Sequence, residues 1–168
     1  KSVSLGCECY YGIALRDVHK YWPTQNDQAP IIELLKNNSG HFNQALSMTD
    51  NSAQDLSNEK VIGGHIIIST FMLSQLQISL ADTYLFLEYH NIPGESFYEL
   101  EFWLDQLKYV IKNNQPKGFI LGHSLLYEKD GTVIDYKDIN IFLTEKLSEL
   151  EKPIYQVDHF KNIIKLSI

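Results

Sequence analysis

Basic residues are scarce in this chain. Fourteen Lys and Arg stand against 21 Asp and Glu, a formal net charge of -7, and such a balance repels phosphate backbones and anionic lipid. Nucleic acid and membrane surfaces are therefore not expected as partners. Long apolar runs are missing too: none reaches the roughly 18 residues that cross a bilayer, and the first residues lack the charged-then-apolar layout of a signal peptide. The expected place is the cytoplasm, or a host cytosol if the chain is a secreted effector domain. It starts at Lys1 rather than Met, as a trimmed or excised piece does, so a targeting segment can have been removed. Nothing in the sequence sets an oligomeric state.

Cysteine is nearly absent. Cys7 and Cys9 are the two in the chain, too close together to staple a useful loop. C-x-C without a second Cys/His pair is half a zinc site at best, so a redox or metal pair is the weakest reading, and neither a metal nor a cofactor is expected. Two thiols in a reducing compartment is the simpler state. What the chain does have is apolar material, 44% hydrophobic and 12% aromatic over 168 residues, enough for one packed core and too little for two. Residues 1–168 read as a single domain without internal repeats.

Hydrophobic spacing orders the chain. SVSL ending in Gly6 reads as a short strand. Tyr10, Ile13, Ala14, Leu15, Val18 and Tyr21 then recur mostly at three and four, a helix from Cys9 to Tyr21. Pro30 before IIELLKNN marks a second helix, and MTDNSAQDLSNE, 48–59, is polar and aperiodic like a loop. KVIGGHIIIST has strand composition and FMLSQLQISLAD follows as a helix, while TYLFLEYH is ambiguous. Phe97, Leu100, Trp103, Leu104, Leu107, Val110 and Ile111 mark the apolar face of a long helix. KGFILGHSLLYE and TVIDY are strands joined by a hairpin at Asp130-Gly131. A helix over 137–150 and a strand pair from PIYQV and NIIKLSI close the chain. Early helices and a late antiparallel sheet give an α+β fold.

A cysteine in the first turn of a helix meets unpaired N–H groups and the positive end of the helix dipole, which favour the thiolate. Those N–H groups also suit an oxyanion. Cys9 is thus a candidate nucleophile, against the plain alternative of a buried small hydrophobe. His123 and Asp135 fall on the two strands of the expected hairpin, where the carboxylate can hold the imidazole, although strict pairing makes them diagonal rather than opposite. His65, after two glycines and with Asp82 further on, is a rival base. His19, His41, His90 and His159 sit in polar or helix-end contexts and read as solvated surface.

SLGCECYYGIALR resembles the S-L-G-x-x-C-x-x-A-x-x-L-R opening of a bacterial family of papain-like cysteine peptidases. Ser4, Leu5, Gly6, Cys9, Leu15 and Arg16 match, and Gly12 stands in the Ala position. GHSLLYEKDGTVIDY is similar more broadly to the His-then-Asp hairpin of papain-like and transglutaminase-like enzymes. The resemblance implies a papain-like fold, N-terminal helices packed on a C-terminal antiparallel sheet. It also implies a thiol-dependent acyl-transfer enzyme, a cysteine peptidase or glutamine deamidase acting on a protein or peptide, with Cys9 as nucleophile, His123 as base and Asp135 orienting it. The expected alternative is a non-catalytic acidic protein-binding domain: an inhibitor, an immunity protein or an inactive papain-like fold.

Overall fold

The computed structural model describes residues 9–11, 45–48, 52–56, 59–76, 78–91, 97–128, 130–157 and 164–166. In chain order these form β1 (Cys9–Tyr11), β2 (Ala45–Ser47), β3 (Ala53–Gln54), β4 (Lys60–His65), α1 (Ile66–Gln75), β5 (Thr83–Glu88), α2 (Phe97–Ile111), β6 (Gly118–Leu121), β7 (Leu126–Tyr127), β8 (Val133–Ile134), α3 (Tyr136–Ser148), β9 (Ile154–Gln156) and β10 (Ile164–Leu166). The central sheet has the order β3-β2-β9-β6-β5-β4. Its β4, β5, β6 and β9 are mutually parallel, while β2 runs antiparallel to β9 and β3.

This is a mostly parallel α/β layout, and it corrects the expectation of an antiparallel papain-like sheet. β5 explains why. All six of its residues are buried, and a strand covered on both faces shows a continuous apolar run rather than the alternation of a half-wetted antiparallel strand. Each parallel step, β4 to β5, β5 to β6 and β6 to β9, moves the same way across the sheet and is bridged in turn by α1, α2 and α3. Right-handed crossovers that all advance in one direction put their helices on one face. Leu100, Leu104, Leu107 and Ile111 of α2 and Ile139, Leu143 and Leu147 of α3 accordingly share a core with Leu85, Leu87, Phe119 and Leu121. The opposite face carries a smaller cluster of Leu56, Val61, Tyr84, Phe86, Ile120 and Val157.

α2 coincides with the apolar stripe read from the sequence, and α3 begins one residue before the expected start. The hairpin is present as β7 and β8, with Leu126 opposite Ile134. Other elements differ. Cys9 opens β1, whose three residues pair antiparallel with β10, so the backbone there is a strand and not the first turn of a helix. PIYQV joins the central sheet as β9 beside β6, and NIIKLSI supplies β10, so the expected terminal pair does not form. The polar stretch 48–59 contains β3. KVIGGHIIIST is strand only to His65, and α1 starts at Ile66. The helix expected after Pro30, together with Cys7, His19, His41 and His159, lies outside the described residues.

Candidate active site at the carboxyl edge of the parallel strands

In open α/β sheets ligands bind beyond the carboxyl ends of the parallel strands. Here β4 ends in His65, β5 in Glu88, and β6 in Leu121 followed by Gly122, His123 and Ser124. The parallel register pairs His65 directly with Glu88. Alternation along β5 puts Glu88 on the face of Tyr84 and Phe86, away from the helices.

Glycines make room on that face. A side chain at Gly122 would meet the Phe86 ring at 2.6 Å and the Glu88 Cβ at 3.5 Å. One at Gly63 would stand 2.2 Å from the Phe86 carbonyl oxygen, and Gly63 and Gly64 adopt φ of 119° and 143°, where side chains rarely go. The GG before His65 is thus a backbone requirement of the turn from β4 into α1.

Glu88 is 3% exposed. Burial pushes its carboxyl up to about 8, because an ionised carboxylate loses its hydration in an apolar setting. A carboxyl held near neutral pH at a strand end is a candidate for proton chemistry. Glu88 is not among the site residues that the sequence suggests. The available signal was the single acidic residue closing the apolar run TYLFLE, since a charge at the end of a buried strand is costly and calls for a reason.

The histidines converge on the same edge. The His65 Nε2 lies 3.1 Å from the His90 backbone N and 3.0 Å from its carbonyl O. The His90 Nε2 lies 3.0 Å from the His123 carbonyl O, and the His65 ring sits 5.3 Å from the Tyr89 ring. Desolvation holds the His90 imidazole below the usual histidine range, and the adjacent His65 adds to this, while the bond to His123 pulls the other way. The segment that carries His90 is pinned from the β6 side. The Tyr89 N–H donates to the buried Ser124 Oγ at 3.0 Å, the Leu125 N–H to the Tyr89 carbonyl at 2.8 Å, and the Asn91 N–H to the Leu125 carbonyl at 3.2 Å. Asn91 adds two side-chain bonds to the backbone of Tyr127. Asn140 of α3 donates to the Gly122 carbonyl at 3.2 Å.

The fold therefore brings His65 and His123 to one edge and adds Glu88 and His90, which sequence reasoning had not selected. It separates others. Asp82 precedes β5 at the opposite end of the β4–β5 pair from His65, so those two do not form the rival couple. Asp135 lies beyond the end of β8 and accepts the Lys137 N–H at 2.8 Å as the N-cap of α3; its sequence signal was that of a helix start. Among the described residues, no group of three or more His, Cys, Asp or Glu is arranged to hold a metal ion, and no helix is long and apolar enough to cross a membrane. A cleft of about 520 Å³ lined by Leu73, Ser74, Tyr109, Val110, Lys112 and Asn113 lies at the far ends of α1 and α2 and has no carboxyl or imidazole in its lining.

Solved structures share this fold. The chain is similar to the microcin C7 self immunity protein MccF in complex with aspartyl sulfamoyl adenosine, with a TM-score of 0.61 and 18% identity over 99% of this chain and 58% of that one. It is similar to wild-type MccF in its apo state, with a TM-score of 0.58 and 19% identity over 96% of this chain and 56% of that one. A muramoyltetrapeptide carboxypeptidase from Oxalobacter formigenes matches with a TM-score of 0.60 and 18% identity over 96% of this chain and 56% of that one. The chain thus spans little more than half the length of these proteins. No protein-family model and no curated protein matches the chain. At this identity the likeness is one of fold, and it overturns the papain-like resemblance. With it go the Cys-His-Asp acyl-transfer function and the thiol-protease and deamidase readings, which rested on an antiparallel sheet and a helix start at Cys9 where the described residues form a mostly parallel sheet and a strand.

Proposed function

We propose that this chain carries the carboxyl and imidazole part of a peptide hydrolase that removes a terminal residue from a short or muramoyl-linked peptide. The observation that carries the reading is Glu88, buried at the carboxyl end of β5 in register with His65. A carboxyl lifted to about 8 by burial keeps its proton near neutral pH and can give it up or take it back at the strand end, which suits an acid or base in hydrolysis. With a histidine of the same edge as base, such a site activates a hydroxyl rather than needing a thiol. The Ser124 Oγ is fully buried at the same edge and accepts the Tyr89 N–H, which leaves its own O–H to donate. The naming of fold neighbours for a muramoyltetrapeptide carboxypeptidase and for immunity to a microcin supports a peptide substrate.

The test is to incubate the protein with a muramoyl tetrapeptide and follow the products by mass spectrometry. Release of the terminal residue is expected, unchanged in Cys9→Ala. An intact substrate, or release that disappears with Cys9→Ala, would refute the proposal.

A further inference from the structure

α2 carries two stripes. Leu100, Leu104, Leu107 and Ile111 follow at intervals of four and three along its inner side, where all are buried. Tyr98, Phe102, Asp105 and Tyr109 follow at the same intervals along its outer side, and Lys112 continues the series just past the helix end. There Tyr98 is 81%, Phe102 55% and Tyr109 77% exposed. A surface helix needs one apolar face, and a second face spaced at four and three is the pattern with which helices pair.

α1 widens this surface. It carries no charged residue, and its Ile68 and Phe71 are more than half exposed. The Phe71 ring lies 5.6 Å from the Trp103 ring, which lies 5.4 Å from the Phe102 ring, so the two helices present one apolar strip. Such a strip marks an interaction surface. An aromatic side chain buries roughly 150–250 Å² when covered, so the strip offers on the order of 600 Å² of apolar area, most of the roughly 800 Å² per partner that a specific interface needs. At its far end opens the cleft that includes Leu73, Val110 and Asn113.

The polar members of the stripe indicate what fits. Lys108 stands 3.2 Å from Asp105 and 3.1 Å from Glu149, one cation between two carboxylates, so Asp105 still attracts positive charge. Lys112 is exposed and has no ion pair among the described residues. Within one copy these two lie about 10 Å apart along the helix axis. We propose that the strip is a two-fold interface with a second copy of this chain, α2 crossing antiparallel on its counterpart. With the axis at the level of Lys108, Asp105 of each copy comes within a turn of the partner's Lys112, Tyr109 lies beside the axis, and Phe102 comes level with the mouth of the cleft in the other copy. A two-fold contact repeats every pairing, so two ion pairs rim an aromatic centre, as in other interfaces. α2 runs back from the carboxyl edge of the strands toward their amino edge, so this contact lies away from Glu88 and does not depend on the peptide-hydrolase reading.

The test is sedimentation equilibrium at 0.15 M salt and tens of micromolar protein, where a Debye length of about 8 Å screens the repulsion between two chains of charge -7. The mass should be twice that of one chain. Tyr109→Asp should give a single-chain mass with an unchanged far-ultraviolet circular dichroism spectrum. Asp105→Lys and Lys112→Glu should each weaken association about tenfold, because each turns two rim attractions into repulsions, and the two together should restore it. A single-chain mass for the unaltered protein, which would leave the strip to some other partner, overturns the proposal. So does a dimer indifferent to Tyr109→Asp, or a charge-swapped double variant that associates no better than the single ones.

Discussion

Glu88 shows what one buried carboxyl does to stability. Its folded value of about 8 lies above the ordinary glutamate value of 4.5, so between those pH values the folded protein keeps a proton that the unfolded chain gives up. Stability from this group is therefore complete at acid pH and declines as pH rises through about 4.5 to 8, by at most roughly 5 kcal/mol for the full shift. Glu88→Gln removes that dependence. It should melt higher than the unaltered protein at pH 8, with the gap narrowing toward pH 5, as thermal unfolding followed by circular dichroism at the two pH values will show; a gap independent of pH would contradict the assignment of burial as the cause. Gly122 is the second residue whose environment decides the outcome. A methyl there runs into the Phe86 ring at 2.6 Å, and Phe86 is fully buried, so Gly122→Ala should cost about 1 to 3 kcal/mol through overpacking, read as a lower urea midpoint with an unchanged slope.

The elements divide by how local their causes are. α2 was legible residue by residue, because Leu100, Leu104, Leu107 and Ile111 repeat at the helix period and all four are buried. The β7–β8 hairpin was legible from Asp130-Gly131: Gly131 has φ of 85°, and Asp130 accepts the Thr132 N–H at 2.8 Å, both turn chemistry written in adjacent residues. Strand partners were not, since apolar side chains say that a strand is buried but not beside what. Gly122 to Leu125 illustrates this, having read as a continuation of the strand before it; in the fold these residues leave β6 and tie to Leu87, Tyr89 and Asn91 of a neighbouring segment. Asp135, which the sequence places on the strand TVIDY beside His123, instead carries the cap of α3. Asp135→Ala should therefore lower stability by about 1 kcal/mol, while Asp135→Asn, which still accepts at the N-cap, should lose little; a large drop in hydrolysis with no loss of stability would mean that Asp135 acts at the site after all.

At the scale of the molecule, three crossovers that advance in one direction leave the helices on one face and the Glu88 face to a smaller cluster. The site was half legible for that reason. His65 and His123 stood out as histidines among apolar residues, but only the parallel register makes His65 the neighbour of Glu88, and only the pinned turn after β5 brings His90 between them. The same architecture recurs in proteins nearly twice as long, so the edge described here is proposed as one part of a larger catalytic arrangement. Its central claim is that Glu88 takes part in proton transfer during peptide hydrolysis, and comparing kcat/KM of the unaltered protein and Glu88→Gln for release of the terminal residue of a muramoyl tetrapeptide at pH 7 tests it most directly. A loss of about 100-fold or more, the usual scale for an acid or base, is predicted for a variant that melts no lower than the original; an equally folded Glu88→Gln with undiminished kcat/KM would contradict it.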